Sequence, residues 1–536
     1  MHGFFGSYRQ TVKWDLPAFA CSSLITRTYE DNALHLTQVT SSKFLSDKYF
    51  AEEDGCFIAT EGVLFEADSA IETIRRYRYG ETTFWDSWRG SFAGVLYDKQ
   101  NDLLLLFNDH TGSKMLFYAQ TKEGFVFASD IRLLAKALNM QTPDKAFMEA
   151  MLADGYSHTD NTFIAGIHRL TAGQYLRVNS EGSEMAEYHR FNNSPVAYNE
   201  AEMVAKTDQL FRQAVKRVVQ KNEKEGLEHF FPLSGGLDSR MAEWIARQIA
   251  TRPITNYTYS QSGHYDHLVP QEISRALGNK WHFMPLDGGS YITDVDGACS
   301  QTEWLLNYMS PIEINHFARQ QEWDHVGVVL TGVNGDNILA TETDNAHEMA
   351  RIYELGFNGN SIGSPLVLQH FTESYSPFCD VDLLDYVLHI PTIKRRNYYF
   401  YDRWILTCYP QAAQWHHKHE LIGHRHKMVT IAGRNIRLVD VPKRMAMYLL
   451  KHLHIYDAYR TQGDSMHPYD DWVKANPSLL EALNAYYESH KHQMTDPTLA
   501  ATCAQKMHSG SIMEKGKVLT ILSALKAFSG TDAPAK

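Results

Sequence analysis

Leu233-Ser234-Gly235-Gly236-Leu237-Asp238-Ser239 stand between a strand-like run, residues 229–233, and an amphipathic helical pattern, Met241, Ile245 and Ile249. Two adjacent glycines let the backbone turn tightly and press its N–H groups against an oxyanion, and the start of the following helix adds favourable partial charge. Ser234 and Ser239 add hydroxyl donors. Asp238 is a poor neighbour for a bound anion unless a cation comes between them, which makes it a magnesium ligand. The alternative is a plain glycine-rich strand-to-helix turn with Ser239 as N-cap. The G-x-x-x-x-G-K-[ST] spacing is absent, so this is not a Walker loop.

Such a loop needs a strand before it and a helix behind it, and the second half of the chain offers that unit repeatedly. Residues 229–233, 254–259, 281–286 and 326–330 read as strands, and helical patterns such as Ile273–Leu277 lie between them. Strands alternating with helices predict a parallel, doubly wound sheet. The chain before Arg190 differs in character. Residues 91–98 and 103–107 read as strands joined by a turn at 99–102, and 124–129 as another. Residues 192–199 (NNSPVAYN) read as a linker. After Pro365 a largely helical region rich in aromatic and basic residues is expected, with fraying from Gly530 onward.

The 536 residues allow several domains. Their 51 basic against 63 acidic side chains, a net charge of −12, argue against nucleic acid as the main partner. Cys21, Cys56, Cys299, Cys379, Cys408 and Cys503 are scattered without C-x-x-C spacing, which excludes a disulfide scaffold and the common zinc modules. The tightest apolar run, Leu103 to Phe107, is far too short to span a membrane. The opening MHGFFGSYRQ lacks the basic and apolar regions of a leader, so a cytoplasmic location is expected.

Ser234 to Ser239 resembles the pyrophosphate loop of the ATP pyrophosphatases, which cleave ATP between the α and β phosphates. Residues 328–337 (VVLTGVNGDN) resemble the S-G-x-G-x-D segment of class B asparagine synthetases and their relatives. In the first half, 90–98 resembles that family's G-x-F-A segment, 108–118 its R-D-x-x-G-x-K-P-L-Y-Y, and 127–131 its F-A-S-E-I. The resemblance covers nearly the whole chain. It implies an Ntn-type αββα sandwich of the class II glutamine amidotransferase kind over residues 1–195. An ATP pyrophosphatase domain with a doubly wound parallel sheet and helical additions would follow over 200–536.

By the same resemblance, Asp336 is the second magnesium carboxylate beside Asp238, and Leu233, Tyr259, Thr331 and Gly332 contact ATP. Ser234, Gly235, Gly236 and Ser239 hold the pyrophosphate. Asp266 is either the family's aspartate or a simple N-cap. Residues 401–406 resemble E-K-x-I-L-R, which puts Arg403 where a catalytic lysine normally stands; 415–418 resemble W-R-x-K and make Lys418 a pyrophosphate contact. The implied reaction consumes ATP with Mg²⁺: a carboxylate attacks the α-phosphate to give an acyl-adenylate, and an amine then displaces AMP. A homodimer is compatible with the family.

Three departures matter. The family opens Met-Cys-Gly-Ile and uses the cysteine thiolate on glutamine, whereas this chain reads Met1-His2-Gly3-Phe4; imidazole does not replace that nucleophile. The family's N-G-E-I-Y-N stands as Glu61-Gly62-Val63-Leu64-Phe65-Glu66, and no R-G-P-D segment follows it, so the glutaminase is expected to be inactive. Val333 and Asn337 replace acidic residues, and valine accepts no proton from an incoming amine. The carboxylate partner is therefore a small molecule or a peptide, and ammonia is not the safest nitrogen source. Relatives without that acid include β-lactam synthetase and lasso-peptide cyclases, while others are thought to amidate sugar acids. A retired, non-catalytic scaffold is the alternative from another class, and a tRNA-thiolating enzyme would need a suitably placed cysteine pair and a basic surface, neither of which this sequence offers. The histidine-dense residues 416–426 read either as metal ligands or, preferably, as a basic segment beside pyrophosphate.

Overall fold

A computed structural model describes residues 2–19, 23–417, 420–425, 428–431, 434–438, 441–442, 445–446 and 465–529. Its first half is built from twelve strands: β1 (Gly3–Tyr8), β2 (Leu24–Glu30), β3 (Leu34–Ser41), β4 (Phe50–Glu53), β5 (Cys56–Glu66), β6 (Arg89–Asp98), β7 (Leu103–Asn108), β8 (Phe117–Gln120), β9 (Phe125–Ala128), β10 (His168–Arg169), β11 (Gln174–Asn179) and β12 (Gly182–Glu187). They form two six-stranded antiparallel sheets, ordered β10-β8-β9-β1-β3-β2 and β12-β11-β7-β6-β5-β4. The turn joining β6 to β7 is fixed by Asp98, whose Oδ1 accepts the Gln100 and Asn101 N–H groups at 3.0 and 3.1 Å.

Alternation along the strands decides the layering. Phe4, Tyr8, Leu34 and Leu36 from one sheet meet Phe57, Val95, Leu104 and Leu106 from the other in one buried layer. The opposite face of the second sheet is covered by α1 (Ala70–Arg78) and the turn Phe84–Ser87, through Ile74, Tyr77, Phe84 and Trp85. The outer face of the first is covered by α2 (Ile131–Leu138) and α3 (Lys145–Asp154). Asp130 and Asp144 cap these two helices, accepting the Leu133 and Phe147 N–H groups. The result is the helix–sheet–sheet–helix sandwich that the sequence implied.

Beyond the sandwich, α4 (Glu200–Lys224) leads into β13 (His229–Pro232), α5 (Leu237–Ile249), β14 (Ile254–Ser260), α6 (Tyr265–Leu277) and β15 (Lys280–Pro285). These three strands are parallel. The parallel pair β16 (Val329–Leu330) and β17 (Ser374–Tyr375) lies beside β13, joined through the Glu228–Val326 bridge. Buried Asn222 of α4 completes the join: its amide bonds both the N–H and the carbonyl of Val328, at 2.7 and 3.0 Å. Helices cover both faces of this sheet. α4 and α5 pack on Phe231, Leu233, Ile254 and Val328, while Ile314, Phe317 and Trp323 pack on Tyr257 and Val329 from the other side.

The region after Pro365 is largely helical, as expected, but it also holds a short hairpin, Met428–Ile431 with Arg434–Arg437. The expected fraying from Gly530 lies outside the described residues. The last helices turn back on the sandwich. Val518, Leu519 and Leu522 of the helix Ile512–Phe528 share one core with Leu134 of α2 and Met151 and Leu152 of α3, and Phe528 lies over Phe163 with ring centroids 5.7 Å apart. No described helix is long and apolar enough to cross a membrane.

Candidate active site

At the carboxyl ends of β13, β14 and β16 the structure holds a cavity of about 350 Å³. Crevices at that edge of a doubly wound sheet are where such folds bind ligands. Its walls include Leu233, Ser234, Gly236, Asp238, Ser239, Tyr259, Thr331, Gly332 and Asp336, so most of the residues singled out from sequence are brought together.

The loop after β13 is folded on its own hydroxyls. Ser239 Oγ accepts the Ser234 N–H at 3.0 Å and lies 2.9 Å from Ser234 Oγ, which in turn accepts the Gly236 N–H at 3.2 Å. The N-cap of α5 is Gly236, not Ser239, so no side chain blocks the helix start at the cap position. Gly235 does not line the cavity. Its N–H points to Asp266 Oδ1 at 2.8 Å, and a Cβ on it would meet the Tyr265 ring at 2.2 Å. Asp266 is not the cap of α6, because His264 holds that position. It props the loop instead, from the cavity wall. Behind the loop, fully buried Arg240 donates to Gly235 O at 2.9 Å, Trp415 O at 3.0 Å and His416 O at 2.9 Å.

Asp238 is held from two sides. Tyr401 Oη donates to its Oδ1 at 2.9 Å, and the Asp336 N–H donates to its Oδ2 at 3.0 Å. Burial, then the charge of Asp238, push the Tyr401 hydroxyl well above its ordinary range, so it stays a donor. The two loops touch where only glycine fits: a Cβ on Gly332 would stand 2.5 Å from Ser239 N, and one on Gly335 2.3 Å from Asp238 Cγ. Asn334 turns the second loop with φ 70°, and its amide donates to Gly356 O at 3.0 Å. Ser376 Oγ donates to Val333 O at 2.6 Å. The fixed Asp238 carboxylate, the exposed Asp336 carboxylate on the loop it touches and the hydroxyls nearby are an all-oxygen donor set that suits a hard divalent cation.

Arg403 does not line the cavity. It is half-exposed and pairs with Glu200 at 2.8 Å. Residues two apart on a helix point in nearly opposite directions, and on Tyr399–Cys408 it is Tyr401 that turns inward. Lys418 lies outside the described residues, as do His419 and His426. His417 lines the cavity with Tyr398, and behind them Arg425 sits 4.2 Å over the Tyr398 ring while bonding Asp402 at 2.6 and 2.7 Å. Sequence reasoning also missed Ile314, Ser364, Leu368 and Met466, which come from distant segments with no motif to mark them.

A different site surrounds His2. Buried Lys114 pairs with Glu373 at 2.6 Å, and Lys48 stands 3.9 Å from both Glu61 and Glu373. Burial, with Lys48 and Lys114 adding to it, holds the His2 imidazole well below its ordinary range. The void lined by His2, Glu61, Lys114, Ser129 and Gln369 measures about 10 Å³.

The family model for a glutamine amidotransferase domain matches residues 58–189, and that for asparagine synthase matches 206–356. Asparagine synthetase [glutamine-hydrolyzing] 1 of Bacillus subtilis is 22% identical over 285 residues, 53% of this chain and 44% of that protein. Amidase chyE of Penicillium rubens is 25% identical over 58% of this chain and 48% of its own length. Asparagine synthetase B [glutamine-hydrolyzing] of Escherichia coli is 26% identical over 43% and 40%. The chain thus spans less than half the length of the curated relatives it matches. Among solved structures, the glutamine phosphoribosylpyrophosphate amidotransferase of B. subtilis with ADP and GMP covers 67% of this chain and 78% of its own at 10% identity. Its TM-score of 0.20 is too low to bear on the fold. The chain thus matches, in order, a glutamine amidotransferase domain and an asparagine synthase domain, and the curated proteins it is similar to include asparagine synthetases of two bacteria.

Proposed function

We propose that the protein is an ATP-dependent ligase that activates a carboxylate as its adenylate and joins it to an amine, releasing pyrophosphate and AMP. The observation that carries this reading is the pairing of Asp238 and Asp336 on touching loops in the cavity at the start of α5. Asp238 and Asp336 would hold Mg²⁺, which when bound supplies charge neutralisation for the leaving pyrophosphate. Ser234, Ser239 and the first amides of α5 bind the anion, and Tyr401 fixes the direction of Asp238. Tyr259, Ile314, Leu368 and Met466 give the nucleoside an apolar seat and keep water out. A carboxylate oxygen attacks the α-phosphorus as the α–β bond breaks. The amine nitrogen then attacks the acyl carbon, the bond to AMP breaks, and one proton leaves the nitrogen. Val333, at the cavity wall, offers no base for it, which favours an amine carried by the substrate, as in a macrolactam or peptide cyclase.

In this reading the nitrogen is not released from glutamine by this chain. The void at His2 is at the limit for a single water, its surroundings are ion-paired, and among the described residues no cysteine lines it. The test is ATP–pyrophosphate exchange across a panel of carboxylic acids and peptides, with Asp238→Ala as control. Exchange that depends on one acid and disappears in the control supports the ligase. Absence of both exchange and calorimetric ATP binding overturns it in favour of a scaffold.

A further inference from the structure

Away from the nucleotide cavity, three side chains converge at the seam between the sandwich and the helix Val381–Val387. Asp86 comes from the turn Phe84–Ser87, His110 from the turn after β7, and His189 from the segment after β12. One ligand atom from each lies within 4.8 Å of the other two. His110 Nε2 is 3.0 Å and His189 Nδ1 3.7 Å from the same Asp86 Oδ1. Ligand atoms around a tetrahedral zinc ion stand about 3.3–3.6 Å apart, so these atoms need only small shifts to share one ion.

Two independent features support the arrangement. The imidazole planes cross at 80° with centroids 4.8 Å apart, so both rings reach the carboxylate without stacking on each other. On the far side of His189, Nε2 is buried with no hydrogen-bond partner among the described residues, 3.4 Å from Asp385 Oδ1. A carboxylate behind the second ring nitrogen is how metal-bound histidines are oriented and their tautomer fixed. The mounts are stiff. Trp85 stacks on Phe107 at 4.3 Å, and Asp109 Oδ1 accepts the Thr111 and Ser113 N–H groups at 3.0 and 3.2 Å. The nearby cation, Arg89, is engaged by Asp382 at 2.8 Å.

We infer that Asp86, His110 and His189 form a binding site for a divalent transition-metal ion of the zinc type, with Asp385 holding His189 from behind. Imidazole and carboxylate together, without thiolate, suit zinc, cobalt or nickel, and three protein ligands leave the fourth position to water. None of the four residues lines the nucleotide cavity. All three ligands belong to the sandwich, so the ion would tie its turn 84–87, the turn after β7 and the segment after β12 to one another, and only Asp385, behind His189, comes from the second half.

The test is calorimetric titration of the metal-stripped full chain with Zn²⁺ in excess Mg²⁺, repeated with Co²⁺ for its visible absorption. One equivalent per chain is expected, with the strong d–d bands of a four-coordinate ion and a higher melting temperature. Asp385→Asn should weaken binding about 10–100-fold, and His110→Gln or His189→Gln more than that. Asp238→Ala should leave it unchanged. Should either histidine variant fail to fold, Asp86→Asn removes a ligand whose side chain is half exposed. Absence of stoichiometric binding, or tight binding unchanged in the ligand variants, overturns the inference.

Discussion

Replacing Gly335 by alanine asks whether the fixed carboxylate is the working part of the cavity. The added Cβ would stand 2.3 Å from Asp238 Cγ and 2.5 Å from its Oδ1. Carbon atoms rest about 3.5–4.0 Å apart, so Asp238 or its loop must withdraw by more than about 1 Å. That withdrawal breaks the bonds from Tyr401 at 2.9 Å and from the Asp336 N–H at 3.0 Å. Hydrogen bonds to a charged group contribute about 1.5–3 kcal/mol each, so the pair represents about 3–6 kcal/mol of positioning. A displacement of about 1 Å at a reacting centre costs on the order of 100-fold in rate. The assay is MgATP titration by calorimetry, which needs no knowledge of the acid, followed by pyrophosphate exchange on wild type, Gly335→Ala and Asp238→Ala. Gly335→Ala should lose the gain in ATP affinity that Mg²⁺ confers and fall in exchange with Asp238→Ala, while its circular dichroism stays native. A Gly335→Ala protein that binds MgATP and exchanges pyrophosphate within about threefold of wild type would refute the reasoning.

Three further outcomes follow from single contacts. Arg395, fully buried, pairs with Glu348 at 2.7 Å and donates to Ile338 O at 2.7 Å; Arg395→Met strands that carboxylate and should cost about 3–5 kcal/mol in urea unfolding. Adding Glu348→Leu should recover much of the loss, and equal stability of the two variants would contradict it. Burial lifts the Glu243 carboxyl from 4.5 to about 7. A raised folded-state value gives stability that is fully present below 4.5 and lost as pH rises through 7, roughly 3 kcal/mol over that window. Glu243→Gln should flatten the stability profile there. Arg403→Ala should leave MgATP binding unchanged, because its guanidinium is engaged by Glu200 at 2.8 Å outside the cavity; weakened binding would show that it reaches the phosphates.

Residues 91–98 and 103–107 were readable as a hairpin because two short apolar runs flank a polar turn, and they lie within β6 and β7, which are buried on both faces. The phosphate loop was legible because its glycines and hydroxyls are contiguous. Gly235 shows the limit: its motif position says phosphate, while its packing against Tyr265 and its bond to Asp266 say loop support. Arg403 shows another, because motif matching weighs charge by position and ignores the turn of the helix, which faces Tyr401 inward. Met466, Ile314 and Leu368 carry no chemistry that a pattern could mark; only tertiary folding makes them neighbours. The apolar helix Ile512–Phe528 was equally silent about its destination, since a helix buried on most sides has no face that names its partner.

That last helix has a bearing on how the protein is made. The sandwich leaves the ribosome first, but the apolar sides of α2 and α3 are finished only by Val518, Leu519 and Leu522. At about 5–20 residues per second, the stretch between Leu152 and Val518 takes roughly 20–70 s to synthesise. Through that interval the nascent first half carries an uncovered hydrophobic flank, and its closing contacts are among the most non-local in the chain. Such topologies fold slowly and invite capture by holding chaperones.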